Sequence, residues 1–420
     1  MSEAFPGTAE DLELLLAPAT IRARAGRILD AALAGGTAFA VRPDRLDAVA
    51  ELVCEVTLAR YPDLAIPYHS RWNHFQAGGR DRNGELDARL ADLDPAARCR
   101  AKLDLAIVSV LLDAGAGMAW RYREPGSGLE SSRSEGLAVA SWNLFTAGRF
   151  SSREDEPLRV DAAGLAGLSL DDLREGFQVS GDNPLVGLEG RFQLLSALGE
   201  ALGRDTKLFG LSDPRPGNLL DHFLSLAAAG GGHGVRAPQV LRALQRGLGP
   251  IWPGRLARAT PSGAVNLGDA WHYAPWGAEP APDSVMPFHK LSQWLAYSLL
   301  EPLLEAGIAL TEVDGLTGLA EYRNGGLMLD SGLLELRYPN LAHIPRAPGS
   351  DMVIEWRALT VALLDRLAEP VRARLGRGAE ALPLARILEG GTWWAGRRLA
   401  AEKRPDGGPP FNIQSDGTVF

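Results

Sequence analysis

Two short stretches of the chain carry side chains that could work on a substrate together. Around residue 290, helical spacing puts Lys290, Gln293, Trp294 and Tyr297 on one side of a helix and Leu291, Leu295 and Leu299 on the other. A lysine sharing a face with a glutamine and two aromatic rings points to a site rather than to a solvated surface. The plain alternative is a lysine whose stem lies along the edge of a core helix while its ammonium reaches water. Further on, Glu321, Tyr322 and Arg323 sit between the apolar Leu316, Leu319, Leu327 and Leu329. Charges set in apolar sequence must be paired or useful, because burying them alone is costly. An ion pair between Glu321 and Arg323, or between either and a neighbour, is the structural alternative. Asn324-Gly325-Gly326 then supplies backbone that a ligand could approach closely.

Two further clusters are polar enough to matter. Residues 66–82, IPYHSRWNHFQAGGRDR, bring His69, Arg71, Trp72, His74, Arg80 and Arg82 together. His69 and His74 are five apart, which is not the i, i+4 spacing of a helical zinc pair, and no Glu or Cys completes a ligand set, so no metal site is expected. The cluster reads either as an anion-binding and ring-stacking surface or as a surface loop with scattered basic residues. In Ser131–Phe150, Arg133 and Glu135 precede a small-residue helix in which Trp142 and Phe145 belong to the core. No GxSxG elbow, phosphate-binding Walker loop, HExxH or dinucleotide glycine fingerprint is present.

The elements that must position these groups are mostly helices. Ala, Leu, Arg and Glu dominate a chain of 420 residues that is 46% hydrophobic and 23% charged, long enough for two or three domain-sized units or one bilobed one. Helical periodicity runs through 20–34, resumes at 46–53 after Gly35-Gly36-Thr37, and returns at 188–202 and 352–367. Ser169 followed by Asp171-Asp172 is a helix start. The apolar run 105–120 reads as a core helix, too short to span a membrane. Strand patterns are scarce: 38–41, 308–313 and 411–420. The Gly-, Pro- and Trp-rich stretch 247–287 reads as a long ordered loop. The expected fold is mainly α, a large helical bundle with a few short strands, cut into an N-terminal helical lobe 1–125 and a catalytic helical lobe 126–420.

Composition also limits the function. A net charge of −9 argues against gripping nucleic acid through its phosphates, though a small anion needs only a local cluster of cations. Cys54 and Cys99 have neither metal-ligand nor CxxC spacing, which suits a reducing, cytoplasmic setting. The acidic N-terminus, with Glu3, Glu10, Asp11 and Glu13, does not read as a signal peptide.

At IPYHSRWNHFQAGGRDR, SRSEGLAVASWNLF, KLSQW, LAEYRNGGLMLDSGLL, VIEWRALTVALLDRLA, LEGGTWWAGR and the terminal SDGTVF, the sequence resembles the uracil-catabolism proteins of fungi and bacteria, long filed as a domain of unknown function. The resemblance runs from residue 66 to the C-terminus. A more distant one is to the queuosine-salvage protein, an N-glycosylase that releases the base from a nucleoside 5′-monophosphate. SLDDLREGFQVSGDNPLVGLEGRFQLLSALG is similar to a helical stretch of that family, KLSQW to its Lys-bearing helix, LAEYR to its Phe-Ala-Asp-Tyr-Arg motif, and Glu355 and Arg357 to its Glu-Ile-Arg. Its essential Lys and Asp fall on Lys290 and Glu321; the departure is Glu for Asp, which moves the carboxylate outward by roughly 1.5 Å. This second resemblance implies an all-helical architecture akin to helix-hairpin-helix base-excision glycosylases.

Together the resemblances imply an N-glycosidase of uracil catabolism that hydrolyses a ring-opened uracil ribonucleotide, such as ribosylurea 5-phosphate, to urea and ribose 5-phosphate. Glu321 would stabilise the oxocarbenium-like carbon and orient or deprotonate water. Lys290 would favour the charged carboxylate or assist the leaving group. Tyr322 and the histidines are candidate proton donors; Arg71, Arg323 and His69 are candidates for the phosphate. Trp72, His74, Asp113, Gln293, Trp294 and Asp330 complete the expected substrate-binding set. No cofactor and no metal is expected, and the partners are a small phosphorylated ribosyl substrate and other uracil-catabolism enzymes, with neither nucleic acid nor membrane. The alternatives are a non-catalytic scaffold or regulator of the ring-opening enzyme, a DNA glycosylase, which the acidic charge disfavours, and a metal-dependent amidohydrolase, which lacks a ligand set.

Overall fold

Helices begin where the sequence supplies caps. Thr8 and Ser169 each close a capping box with the aspartate three residues on, Asp11 and Asp172, satisfying helix N–H groups that have no partner within the helix. Asp94 accepts from the N–H groups of Ala96 and Ala97, and Pro95 occupies the first helical position of Pro95–Leu111. The structure, a computed structural model, describes residues 3–113, 115–231, 234–260 and 263–414. It is mainly α-helical with a few short strands, as the composition and periodicity lead one to expect.

The chain divides into two compact units, each stitched from separated stretches. Among the described residues, unit 1 comprises the stretches up to His69, Pro253–Gln293 and from Glu312 onward, and unit 2 comprises Ser70–Trp252 and Trp294–Thr311. Residues 125 and 126, where a lobe boundary is expected from sequence, both fall inside unit 2.

In unit 1 the long helix Asp351–Leu375 is the axis. It is packed by Pro18–Leu33 on one flank and Leu46–Arg60 on another, and its Ile354, Trp356, Leu359, Leu363 and Leu367 are buried. Helix Tyr322–Asp330 lies against Trp393–Lys403, and a π-helical turn, Leu388–Thr392, leads into the latter. That helix pair is close because Gly396 lacks a side chain: a Cβ there would stand 2.3 Å from the Arg323 carbonyl oxygen.

The stretch expected as a long loop is instead built of short strands. Leu256–Thr260 pairs in parallel with Glu3–Phe5 and antiparallel with Gly263–Asn266, and Ala270–His272 pairs with Val285–Pro287. Strands of three to five residues leave too few alternations for a period to register. They are stable here because Phe5, Leu15, Leu256, Leu267, Ala270 and Val285 form a small core of their own, drawn from distant parts of the chain. The strand expected at 38–41 is present, as Phe39–Val41 against Leu334–Leu336.

In unit 2 the buried helix Pro95–Leu111 packs with Arg133–Thr146, while Leu188–Arg204 packs with Ala162–Gly167 and Leu170–Gly176. The helix expected over 105–120 therefore starts ten residues earlier and stops at Leu111, short of Asp113 and the glycines beyond. Trp142 and Phe145 are core residues, as expected. Leu310–Thr311, within the expected strand 308–313, pairs with Val235–Arg236. Of the strand expected over 411–420, Ile413 makes a single bridge to Arg346, and the remainder from 415, including SDGTVF, lies outside the described residues. Both cysteines are buried thiols. Among the described residues no helix is long and apolar enough to cross a membrane.

Candidate active site

Lys290 opens the helix Lys290–Glu305. Its N–H donates to Asp269 Oδ2 at 3.0 Å, and the N–H groups of Phe288 and His289 donate to the Asp269 carbonyl at 2.9 and 3.1 Å. One aspartate therefore arranges the whole entry to the helix. His289 turns the corner with φ 49°, a left-handed conformation unusual outside glycine, and its Nε2 lies 2.9 Å from the Leu15 carbonyl. Only Lys290–Gln293 of this helix belong to unit 1. Gln293, one turn on, clasps Thr317: it accepts from the Thr317 N–H at 2.8 Å and donates to the Thr317 hydroxyl. Thr317 begins the stretch that leads to Glu321.

Glu321 is the N-cap of Tyr322–Asp330. Its carboxylate accepts from the N–H of Arg323 at 2.5 Å and of Asn324 at 2.6 Å, one on each oxygen. Glutamate is an uncommon cap because its chain is long, yet at 8% exposure it is fixed here as firmly as an aspartate would be. The expected alternative, an ion pair with Arg323, is not what engages this carboxylate. The Arg323 side chain turns away, donating to the Gly407 carbonyl at 3.1 Å and lying 5.0 Å from the Tyr322 ring and 5.9 Å from the Trp393 ring.

Arg357 joins these two helix starts. It forms a two-pronged pair with Asp269, both distances 2.7 Å, and its Nε donates to the carbonyl of Ala320, the residue before Glu321, at 3.1 Å. Burial pushes the Asp269 carboxyl up, but the Arg357 guanidinium, the Trp271 indole N–H and the Lys290 N–H outweigh it and hold the group well below the usual carboxylate range. Glu355, two residues before Arg357, binds the Tyr273 hydroxyl and the Ala38 N–H, both at 2.8 Å. Burial, with some help from Asp351, pushes its carboxyl up against those two bonds.

A second polar group lies in the same unit. Glu389, in the π-helical turn, is 2.9 Å from His69 Nδ1 and accepts from the Tyr61 hydroxyl at 3.2 Å. The turn can approach Leu46–Arg60 because Gly390 and Gly391 face Val53, Thr57 and Ile66 without side chains. The His69 ring is 6.2 Å from Trp393. Asp330 is occupied by Arg404 through two bonds of 2.8 and 2.5 Å.

The expected site residues thus separate. Lys290, Gln293, Glu321, Tyr322, Arg323, His69 and Asp330 belong to unit 1; Arg71, Trp72, His74, Asp113 and Trp294 belong to unit 2. The 66–82 cluster is not a surface loop. Arg71 is fully buried, with Nη1 2.9 Å from Asp113, Nε on Ser109 and Nη1 on the Ser134 carbonyl. Arg80 and Arg82 both reach Glu124. Trp72 donates to the Ser298 carbonyl, and His74 packs against Trp294 at 5.6 Å. Interior carboxylates neutralise these arginines, so they form structural pairs rather than the open anion-binding face the sequence suggested. Among the described residues no group of three or more His, Cys, Asp or Glu could hold a metal ion.

Asp269, Tyr61, Thr317, Glu389, Trp393 and Arg397 were not singled out from sequence. Asp269 is hidden in the stretch that reads as a loop. Glu389 carried a signal, a lone carboxylate between buried apolar residues and two glycines, of the same kind that marked Glu321.

Comparison with known proteins is consistent across the whole chain. Residues 14–420 match the family described as "Protein of unknown function (DUF1688)". The chain is 40% identical to "Protein urg3" of Schizosaccharomyces pombe over 423 residues, 98% of this chain and 99% of that one. It is 39% identical over 413 residues to "Uracil catabolism protein 4" of Lachancea kluyveri, with 92% of each chain covered. Near-complete coverage at this identity makes the chain a member of the DUF1688 family.

Proposed function

We propose that this protein is an enzyme of uracil catabolism, an N-glycosidase that cleaves the bond between ribose 5-phosphate and urea in ribosylurea 5-phosphate. The name of the Lachancea kluyveri relative supports the pathway. The observation that carries the chemistry is the Arg357 link. One guanidinium ties the start of the Lys290 helix, through Asp269, to the carbonyl next to Glu321. The backbone that carries Lys290 and the backbone that leads to Glu321 are thereby tied together in one unit, which supports assigning the ammonium and the carboxylate to one preorganised site.

In the reaction, water adds its oxygen to C1′ as the C1′–N bond breaks, and the bonding electron pair leaves with nitrogen. The leaving nitrogen takes up a proton while the attacking water loses one, so hydroxyl ends on ribose 5-phosphate and hydrogen on urea. Positive charge builds at C1′ in the transition state, and the Glu321 carboxylate faces that charge and receives the proton of the attacking water. Lys290 supplies positive charge beside the departing nitrogen.

Purified protein mixed with ribosylurea 5-phosphate is expected to release urea, and Lys290→Ala and Glu321→Gln are expected to release at least about 100-fold less. No urea from the wild type removes this substrate. Full activity in Glu321→Gln removes this mechanism.

A further inference from the structure

Unit 2 holds a cavity of about 310 Å³ that the glycosidase reading does not use. One wall is a single face of helix Pro95–Leu111, on which Pro95, Arg98, Cys99 and Lys102 recur at helical spacing. A second is the end of helix Lys290–Glu305, with Pro302, Glu305 and the following Ala306, and helix Arg82–Arg89 adds Asp87.

The charges that line it do not cancel in place. The Lys102 ammonium, on a side chain only 9% exposed, is engaged by two carboxylates, Asp87 at 2.6 Å and Glu305. Each carboxylate uses one oxygen there and is more than half exposed, so its other oxygen stays open. Two carboxylates against one ammonium leave this end with surplus negative charge. Arg98, one helical turn before Lys102 and half-buried, makes no side-chain hydrogen bond or ion pair among the described residues. Its guanidinium is the positive end.

The helix ends reinforce that polarity. Arg98 lies near the start of its helix, where the backbone dipole favours an anion, and Glu305 ends the other, where it favours a cation. Asp94 already accepts from the first N–H groups of Pro95–Leu111, so an anion here falls to Arg98. Between the two ends the lining is uncharged. The Cys99 thiol donates to the Pro302 carbonyl at 3.3 Å, and burial pushes it up to about 12. Four helical residues rise about 6 Å, so the two ends stand farther apart than the charges of an α-amino acid, which hang from one carbon.

We propose that this cavity binds a small zwitterion of the ω-amino acid type, its carboxylate on the Arg98 guanidinium and its ammonium on the open oxygens of Asp87 and Glu305. The volume stands at the low end for small-molecule sites, roughly 300–1,000 Å³, so the ligand is short. Its carbon chain lies along Cys99, Pro302 and Ala306.

The test is calorimetric titration of the full chain with 4-aminobutanoate, glycine, butanoate and butylamine at low ionic strength. Wild type is expected to bind 4-aminobutanoate at least about tenfold more tightly than the other three, since each of them gives up a charge-assisted bond. Arg98→Ala should weaken that binding at least about tenfold, and Arg98→Lys should recover part of it, since a point charge replaces a fork. Glu305→Gln should weaken it severalfold. Arg98 has no partner in the fold to lose, so Arg98→Ala should keep the wild-type unfolding midpoint, which separates a lost ligand from a lost structure. No binding of 4-aminobutanoate at millimolar concentration overturns the site. So do equal affinities for 4-aminobutanoate and either singly charged probe, tighter binding of glycine, or an Arg98→Ala variant that binds as wild type does.

Discussion

Arg357 and Asp269 meet through two parallel bonds of 2.7 Å, and the third donor of the same guanidinium holds the Ala320 carbonyl. Both side chains are buried or nearly so. Removing one partner of such a pair strands a charge in the interior, which costs about 3–5 kcal/mol. Arg357→Ala is expected to lose that much stability in guanidinium chloride unfolding. Arg357→Lys should recover only part, because an ammonium cannot make the fork and reach Ala320 as well. A loss below about 0.5 kcal/mol for Arg357→Ala, the range of ordinary surface changes, would mean that the clamp does not organise the unit.

Gly396 offers a test through packing alone. The Cβ of an alanine at 396 would lie 2.3 Å from the Arg323 carbonyl oxygen and 3.2 Å from its carbon, so helices Tyr322–Asp330 and Trp393–Lys403 would have to separate. Overpacking of this kind costs about 1–3 kcal/mol. Gly396→Ala should lower the unfolding midpoint and also reduce activity, because the displaced backbone carries the N–H that holds Glu321. Gly203, where an added Cβ meets nothing within 4 Å, is the control: Gly203→Ala should be neutral or stabilising, since alanine favours a helix over glycine by about 1 kcal/mol.

Which parts of this were legible in the sequence follows from the range of the interactions. Helices are local, so the caps at Ser169 and the periodicities at 20–34, 188–202 and 352–367 gave their elements directly. Glu321 and Lys290 stood out because a charge in an apolar run is unusual wherever the chain goes. Asp269 did not, because Lys290 and Arg357, which fix its carboxylate, stand 21 and 88 positions further along the chain and are met only once the chain folds. The arginines of 66–82 misled for the same reason. Their carboxylates, Asp113 and Glu124, lie some forty residues downstream, and a run of positive charge looks open until those partners are placed.

Glu124 gives unit 2 a specific response to acid. Burial alone would raise its carboxyl, but the Arg82 guanidinium, the Ser127 hydroxyl and Arg80 bring it down to about 2. Its folded value lies below the unfolded one of about 4.3, so its contribution to stability is complete above that value. The contribution is lost as pH falls from there toward 2. Glu124→Gln should be less stable at pH 7 by about 3 kcal/mol or more, since it leaves Arg82 buried without its carboxylate. It should also lose less stability than wild type between pH 5 and pH 2. Parallel stability–pH curves for the two proteins would show that this pair does not set the acid limb.

The dual engagement of Glu321 separates its place in the fold from its place in the proposed reaction. Both carboxylate oxygens accept backbone N–H groups at the start of a helix, so loss of the side chain costs stability whatever the function. Glu321→Ala should lose about 1 kcal/mol, the usual worth of an N-cap. Glu321→Gln keeps a single acceptor oxygen and should lose less than that, while its neutral amide cannot balance positive charge at C1′ or take a proton from water. Its urea release should therefore fall by at least about 100-fold, out of proportion to its stability. Glu321→Asp keeps the charge and is the better cap by type, but withdraws the carboxylate by roughly 1.5 Å. It should fold as well as wild type and release urea at an intermediate rate, with the loss in kcat rather than KM. A purely structural glutamate would give the opposite order, with the aspartate variant as active as wild type and the glutamine variant impaired only as far as its stability falls.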